Sequence, residues 1–133
     1  MVRDYQGNFV AAAGDSFPNV IFPELAEAYA TRFALTWARE EGMDNLVVQT
    51  DCLSVVQRID STERDRSVVS PVIQDIRSLV SGFNNCSIVY VSRLQNFAAH
   101  YLARSLELSC KSVWRGVPPV CIQETICIDS MFM

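Results

Sequence analysis

The stretch "DNLVVQTDCLSVVQRI", residues 44–59, contains the seam on which the fold turns. Leu46-Val47-Val48 is a short apolar run of strand composition, with apolar residues on both faces, as in a sheet covered on both sides. The run ends in an acid, Asp51, and an apolar helical pattern resumes directly behind it. A carboxylate at such a seam has two readings. It caps the helix that begins at Cys52 or Leu53, or it stands beyond the carboxyl end of a strand, where α/β sheets present their chemistry. Position alone leaves the two open.

Elements alternate on both sides of the seam. Upstream, "GNFVAAAG" (7–14) after the turn-like "RDYQG" predicts a strand entered from a hairpin. "DSFPNVIFP" is a loop broken by Pro18 and Pro23, and the helix that follows has Pro23 at its start and Gly42 at its stop. Leu25, Tyr29, Phe33 and Trp37, flanked by Ala26, Ala30 and Ala34, form its expected apolar stripe. Downstream come a short helix, "CLSVVQRI", and the polar loop "DSTERDRS". A helix capped by Ser70, with Pro71 behind it, then runs to Gly82. "CSIVYVSR" is another strand and "NFAAHYLARSLELS" a last amphipathic helix starting at Asn96. The order predicts an α/β fold with a parallel central portion.

Composition bounds the function. The 133 residues are half apolar and a fifth charged, which is globular, and the length suits one domain. No apolar run reaches the roughly 20 residues of a membrane helix, and "MVRDYQGNFVAAAG" is no signal peptide, so an intracellular protein, nuclear or cytoplasmic, is expected. Five scattered cysteines without a CxxC pair read as free thiols, not a disulfide frame or zinc site. The net charge of −4 argues against a protein that simply coats nucleic acid. Ten of eleven basic residues are arginines, which suit phosphate or carboxylate, though surface ion pairs account for most such residues.

Several chemistries drop out. The five glycines form neither GxGxxG nor GxxxxGK, so a nucleotide cofactor held by a glycine loop is excluded. The single histidine, His100, sits in the last helix, and no serine lies in a nucleophile elbow. Carboxylates working through a metal remain as the enzymatic route.

Taken in order, "AEAYATRFALTWAREEGMDNLVVQTDCLSVVQRI", "VIQDIRSLV" and "VYVSRLQNFAAHYLARSL" resemble the ribonuclease H-like domain, in particular the reverse-transcriptase-like subgroup of plant retroelements and proteins derived from them. The matching positions are Glu27-Ala28, Asp51, Arg93, Asn96, Ala99-His100 and Leu102-Ala103. The resemblance implies a mixed sheet flanked by helices over residues 1–112, with 113–133 as a C-terminal tail. It implies Mg²⁺-dependent hydrolysis of the RNA strand of RNA–DNA hybrids, with two ions about 3.5–4 Å apart held by carboxylates. Glu27 and Asp51 would be the metal ligands and, with His100, the catalytic residues. Arg93 and Asn96 would contact nucleic acid. Glu24, one turn before Glu27, competes for the same role. Glu27 aligns better, because Ala28 and Leu35 then fall where the family has small and large apolar residues.

Two departures bear on activity. The family's first acid lies in a first strand upstream of the hairpin, and the sequence starts at "MVRD", within the second strand of the pattern, so an N-terminally truncated domain is expected. Asp4 follows that second strand and is no substitute. His100 stands where other members carry the last acid, although the plant subgroup has histidine there. The metal site is thus expected to be incomplete and hydrolysis impaired. The alternative is a non-catalytic remnant that binds nucleic acid or protein on the same fold. A third reading, an unrelated α/β regulatory domain, makes the acid positions accidental.

Overall fold

Two kinds of sheet account for the strands of the computed structural model, which describes residues 1–14, 22–63, 66–105 and 112–117. The elements follow in the order β1 (Val2–Arg3), β2 (Phe9–Gly14), α1 (Pro23–Glu40), β3 (Asn45–Thr50) and α2 (Leu53–Asp60). Then come α3 (Ser70–Ser81), β4 (Asn85–Tyr90), a 3-10 turn (Arg93–Asn96), α4 (Phe97–Ser105) and β5 (Ser112–Arg115). Contacts divide the chain into two units, one comprising Met1–Pro18 with Arg93–Met133 and the other Asn19–Ser92.

The first unit carries an antiparallel sheet in the order β1-β2-β5. Its hairpin turn is organised by Asp4, whose Oδ1 accepts hydrogen bonds from the Gln6 and Asn8 amides at 2.9 Å each. Those bonds, the one from Asn8 foremost, hold the Asp4 carboxyl below its ordinary pKa. Gly7 takes the left-handed conformation, φ 84°, that the turn requires. A small core of Ala12, Ala98 and Leu102 joins β2 to α4, with Met1, Phe9 and Trp114 packed against it.

In the second unit β3 and β4 pair in parallel, in register from Asn45↔Asn85 to Thr50↔Tyr90. The core gathers Leu25, Ala28 and Leu35 of α1, Val55 of α2, Val69, and Val72, Ile73 and Ile76 of α3. Leu46, Val48, Cys86 and Ile88 meet it from one face of the strand pair. Leu35, Val55 and Ile76 are fully buried, each worth about 1.5–3 kcal/mol of apolar transfer. α1 ends in a Schellman motif: the Met43 amide donates to the Ala38 carbonyl and the Gly42 amide to Arg39, with Gly42 at φ 76°. Arg77 on α3 holds the end of α2, donating to the carbonyls of Arg58 (2.6 Å), Ile59 (3.1 Å) and Ser61. No helix among the described residues is long and apolar enough to cross a membrane.

Several local expectations shift. The covered stripe of α1 is Ala28, Thr31, Leu35 and Ala38, joined by Leu25 and Trp37, not the Tyr29–Phe33 line. A strict four-residue repeat drifts about 40° per step around a helix of 3.6 residues per turn, so that line cannot stay on one face. β3 is covered on one face only: Val47 on the other is 63% exposed. Ser70 is the first helical residue of α3; Val69 occupies the cap position, with no side-chain cap bond. Val113, Trp114 and Arg115, assigned to a tail from sequence, pair in β5 with Ala13, Ala12 and Ala11. The loop over 15–21, residues 106–109 of the expected last helix with 110–111 behind them, and the tail from 118 onward lie outside the described residues. So do Cys110, Cys121 and Cys127, while Cys52 and Cys86 are free thiols.

The left-handed backbone at Gly42 generates a stability prediction. A Cβ there meets nothing within 4 Å, so Gly42→Ala is penalised by conformation alone. It should lower stability by about 1 kcal/mol, read from the urea midpoint. An unchanged midpoint would show that the Schellman turn does not hold in solution.

Candidate functional site

Asp51 sits one residue past the carboxyl end of β3, half-buried, in the bend that leads into α2. The local geometry separates its two sequence readings. The cap position of α2 is Cys52, and no side chain caps the helix. The Cys52 amide is taken by Thr50, whose Oγ1 accepts it at 3.2 Å from a site only 5% exposed. The Thr50 carbonyl in turn accepts the Val91 amide at 2.9 Å, extending the pairing with β4 to the seam. Asp51 therefore does not cap α2, and among the described residues its carboxylate makes no hydrogen bond or ion pair.

Glu27 lies on α1, half-buried, at the edge of the covered stripe, next to Ala28 and four residues before Thr31. The Thr31 hydroxyl satisfies itself by donating to the Glu27 carbonyl at 3.0 Å, which is why a threonine is tolerated at 5% exposure. Ala28 and Leu35 are both fully buried. Glu24, the competing acid, is engaged elsewhere: its Oε1 lies 2.9 Å from Arg58 Nε on α2, both side chains being a third exposed or less. A guanidinium at that distance compensates the charge of the acid that competed with Glu27 in the sequence. No group of three or more His, Cys, Asp or Glu side chains among the described residues is placed to share a metal ion.

The remaining predicted residues belong to the other unit. Arg93 and Asn96 open and close the 3-10 turn that leads into α4, and His100 follows one turn later. Arg93 Nη2 is 3.2 Å from His100 Nε2. Arginine has no acceptor, so in this contact the imidazole Nε2 is the acceptor. The core of this unit is formed by Ala98 and Leu102, whereas His100 is only half-buried and edge-on to Tyr101, 6.5 Å between ring centroids.

Charge is distributed unevenly. The described residues of the first unit contain four arginines, Arg3, Arg93, Arg104 and Arg115, against a single acid, Asp4, which is spent on its turn. Among the described residues the acids therefore lie almost wholly in the other unit. Elsewhere arginines serve the structure: Arg32 meets Asp75 at 2.8 Å and lies over the Tyr29 ring, and Arg77 holds α2. Sequence did not reveal the Glu24–Arg58 and Arg77 contacts, because their partners lie 16 or more positions away and no local spacing announces them.

The Arg93–His100 contact predicts a tautomer. In long-range ¹H–¹⁵N spectra at neutral pH, His100 should show protonated Nδ1 and bare Nε2. Arg93→Ala should return the ring toward the tautomer mixture of a free imidazole. A wild-type ring protonated at Nε2 would contradict the contact.

Comparison with known proteins places the chain. A family described as reverse transcriptase-like matches residues 1–106. No curated protein and no solved structure matches the chain. With more than half of its length matched, and with a mixed α/β fold in which a parallel strand pair is flanked by helices, the chain belongs to the reverse transcriptase-like family, of ribonuclease H type.

Proposed function

We propose that this chain is a nucleic-acid-binding domain for RNA–DNA hybrids, of the plant retroelement subgroup, in which the family's Mg²⁺-dependent hydrolysis is impaired. The observation that carries this reading is Asp51. It projects no capping or pairing interaction at the carboxyl end of a parallel strand, while Glu24 is neutralised by Arg58. Glu27 and Asp51 are then the acids that hold a divalent ion. Hard carboxylate oxygens are the ligands Mg²⁺ takes, and the Asp51 carboxylate makes no ion pair among the described residues. When bound, Mg²⁺ would supply charge compensation for the phosphate and activation of water. Arg93 and Asn96 hold the phosphate backbone. His100, one turn further along α4, assists proton movement as product leaves.

Two acids compensate a pair of cations poorly, which is the basis for expecting impaired chemistry. Electrostatic preorganisation commonly carries most of a rate enhancement, and losing one such group costs roughly 10²–10³-fold. Binding does not depend on the metals, because contacts from arginine to phosphate persist without them, and it should weaken steeply with salt.

The test is a labelled RNA–DNA hybrid incubated with the purified 133-residue chain and Mg²⁺, beside Asp51→Asn. Little or no cleavage by either is expected, with hybrid binding retained at low salt. Robust cleavage abolished by Asp51→Asn would show a complete metal site and overturn the impairment. Absence of binding at any salt would overturn the nucleic-acid reading.

A further inference from the structure

Along α4, residues 97, 100, 101 and 104 follow the i, i+3, i+4, i+7 spacing and share one face of the helix. The face opposite is the one that packs: Ala98 and Leu102 are 2% and 3% exposed. The shared face is aromatic and basic. Phe97 and Tyr101 stack at 5.8 Å between centroids with 28° between planes. Tyr101 is 46% exposed, Arg104 is exposed at one end of the row, and Arg93 reaches His100 from the turn preceding the helix. Leu94, 70% exposed, adds apolar surface in that turn. No acid lies within residues 93–105.

An exposed tyrosine ring, backed by a half-buried phenylalanine and set among guanidinium groups, is surface that suits neither core nor plain solvent. The alternation matches one polymer chemistry. Single-stranded nucleic acid presents unpaired bases, which stack on aromatic planes, at intervals along a chain of phosphates that pair with arginine. A duplex presents phosphates and base edges but no open base face, because its bases are already stacked. An acidic peptide would satisfy the arginines and leave the rings idle.

We propose that the exposed face of α4 and its preceding turn binds single-stranded nucleic acid. Tyr101, supported from behind by Phe97, is the platform for an unpaired base, and Arg93 and Arg104 take the flanking phosphates. His100, in contact with Arg93, lies on the same face of the helix. The proposal rests on the nucleic-acid reading above but not on its metal site. It names the form of nucleic acid, and the residues Phe97, Tyr101 and Arg104, that the family positions do not supply.

The test is fluorescence anisotropy of the full 133-residue chain, in EDTA, with a labelled oligo(dT) strand and with a hairpin duplex of equal phosphate count. Tyr101→Ala and Tyr101→Leu should each weaken single-strand binding roughly tenfold and leave duplex binding unchanged, while Tyr101→Phe keeps wild-type affinity. The leucine variant retains apolar bulk, so a loss there is a loss of the ring and not of the helix; circular dichroism confirms that helix content is kept. Arg104→Gln should weaken both ligands and flatten the dependence of log K on log salt by roughly 0.7 for the single strand. Equal losses for strand and duplex with Tyr101→Ala, or a Tyr101→Phe variant as weak as Tyr101→Ala, would overturn the proposal. Hybrid binding without single-strand binding would also overturn it while sparing the reading above; binding of neither would overturn both. Since EDTA removes divalent ions, failure of the metal site leaves these outcomes untouched.

Discussion

Parallel strands cannot be closed by a tight turn, and that constraint organises the larger unit. β3 and β4 pair in register along their whole length, so the chain must return from the end of one to the start of the other through a crossover. α2 and α3 are that crossover, and their apolar residues close the core against Leu46, Val48, Cys86 and Ile88. The same constraint fixes where polar chemistry can appear. The strand ends at Thr50, which is buried and uses its hydroxyl and its carbonyl to complete the seam. Asp51, one residue later, is released from structural duty by its neighbour.

Division of labour among like residues follows the same logic. Three acids lie near helix or strand ends with similar sequence credentials, yet their surroundings assign them differently. Asp4 accepts two backbone amides in a tight turn, Glu24 is matched by Arg58, and Asp51 is left open. The arginines sort likewise. Arg77 takes up carbonyls at the C-terminal end of α2, and Arg58 links α2 to α1, while Arg93 and Arg104 stand in a unit whose described residues hold one acid. A charge total over the whole chain hides this, because the acids belong mostly to the other unit.

Much of the fold is legible in the sequence because local signals agree. Pro23 and Gly42 bracket α1, alternation marks β4, and the Asp4–Gly7 turn announces the hairpin that leads into β2. What escapes depends on angle or distance. The four-residue repeat of α1 looks like a core stripe until its drift is followed around the helix: Leu25 and Trp37 are buried, while Ala28, Thr31, Leu35 and Ala38 take the places between them. β5 carries only four residues of weak pattern and is a strand because β2 offers it a partner. Within the candidate site, the positions of Asp51 beyond a strand and of His100 on the last helix are readable in advance. The neutralisation of Glu24 and the Arg93 contact to His100 are not: the first needs a partner 34 residues away, the second a turn whose 3-10 geometry has no clear sequence mark.

The central claim is that Asp51 and Glu27 act together on a divalent cation. Mn²⁺, a paramagnetic stand-in for Mg²⁺, broadens amide resonances near wherever it binds, and ¹H–¹⁵N spectra of the whole chain report each position. The account predicts selective broadening around Asp51, Cys52 and Glu27, relieved by excess Mg²⁺ and absent in Asp51→Asn. Broadening scattered over the exposed acids Glu40, Glu41 and Asp44, or persisting unchanged in Asp51→Asn, would contradict it.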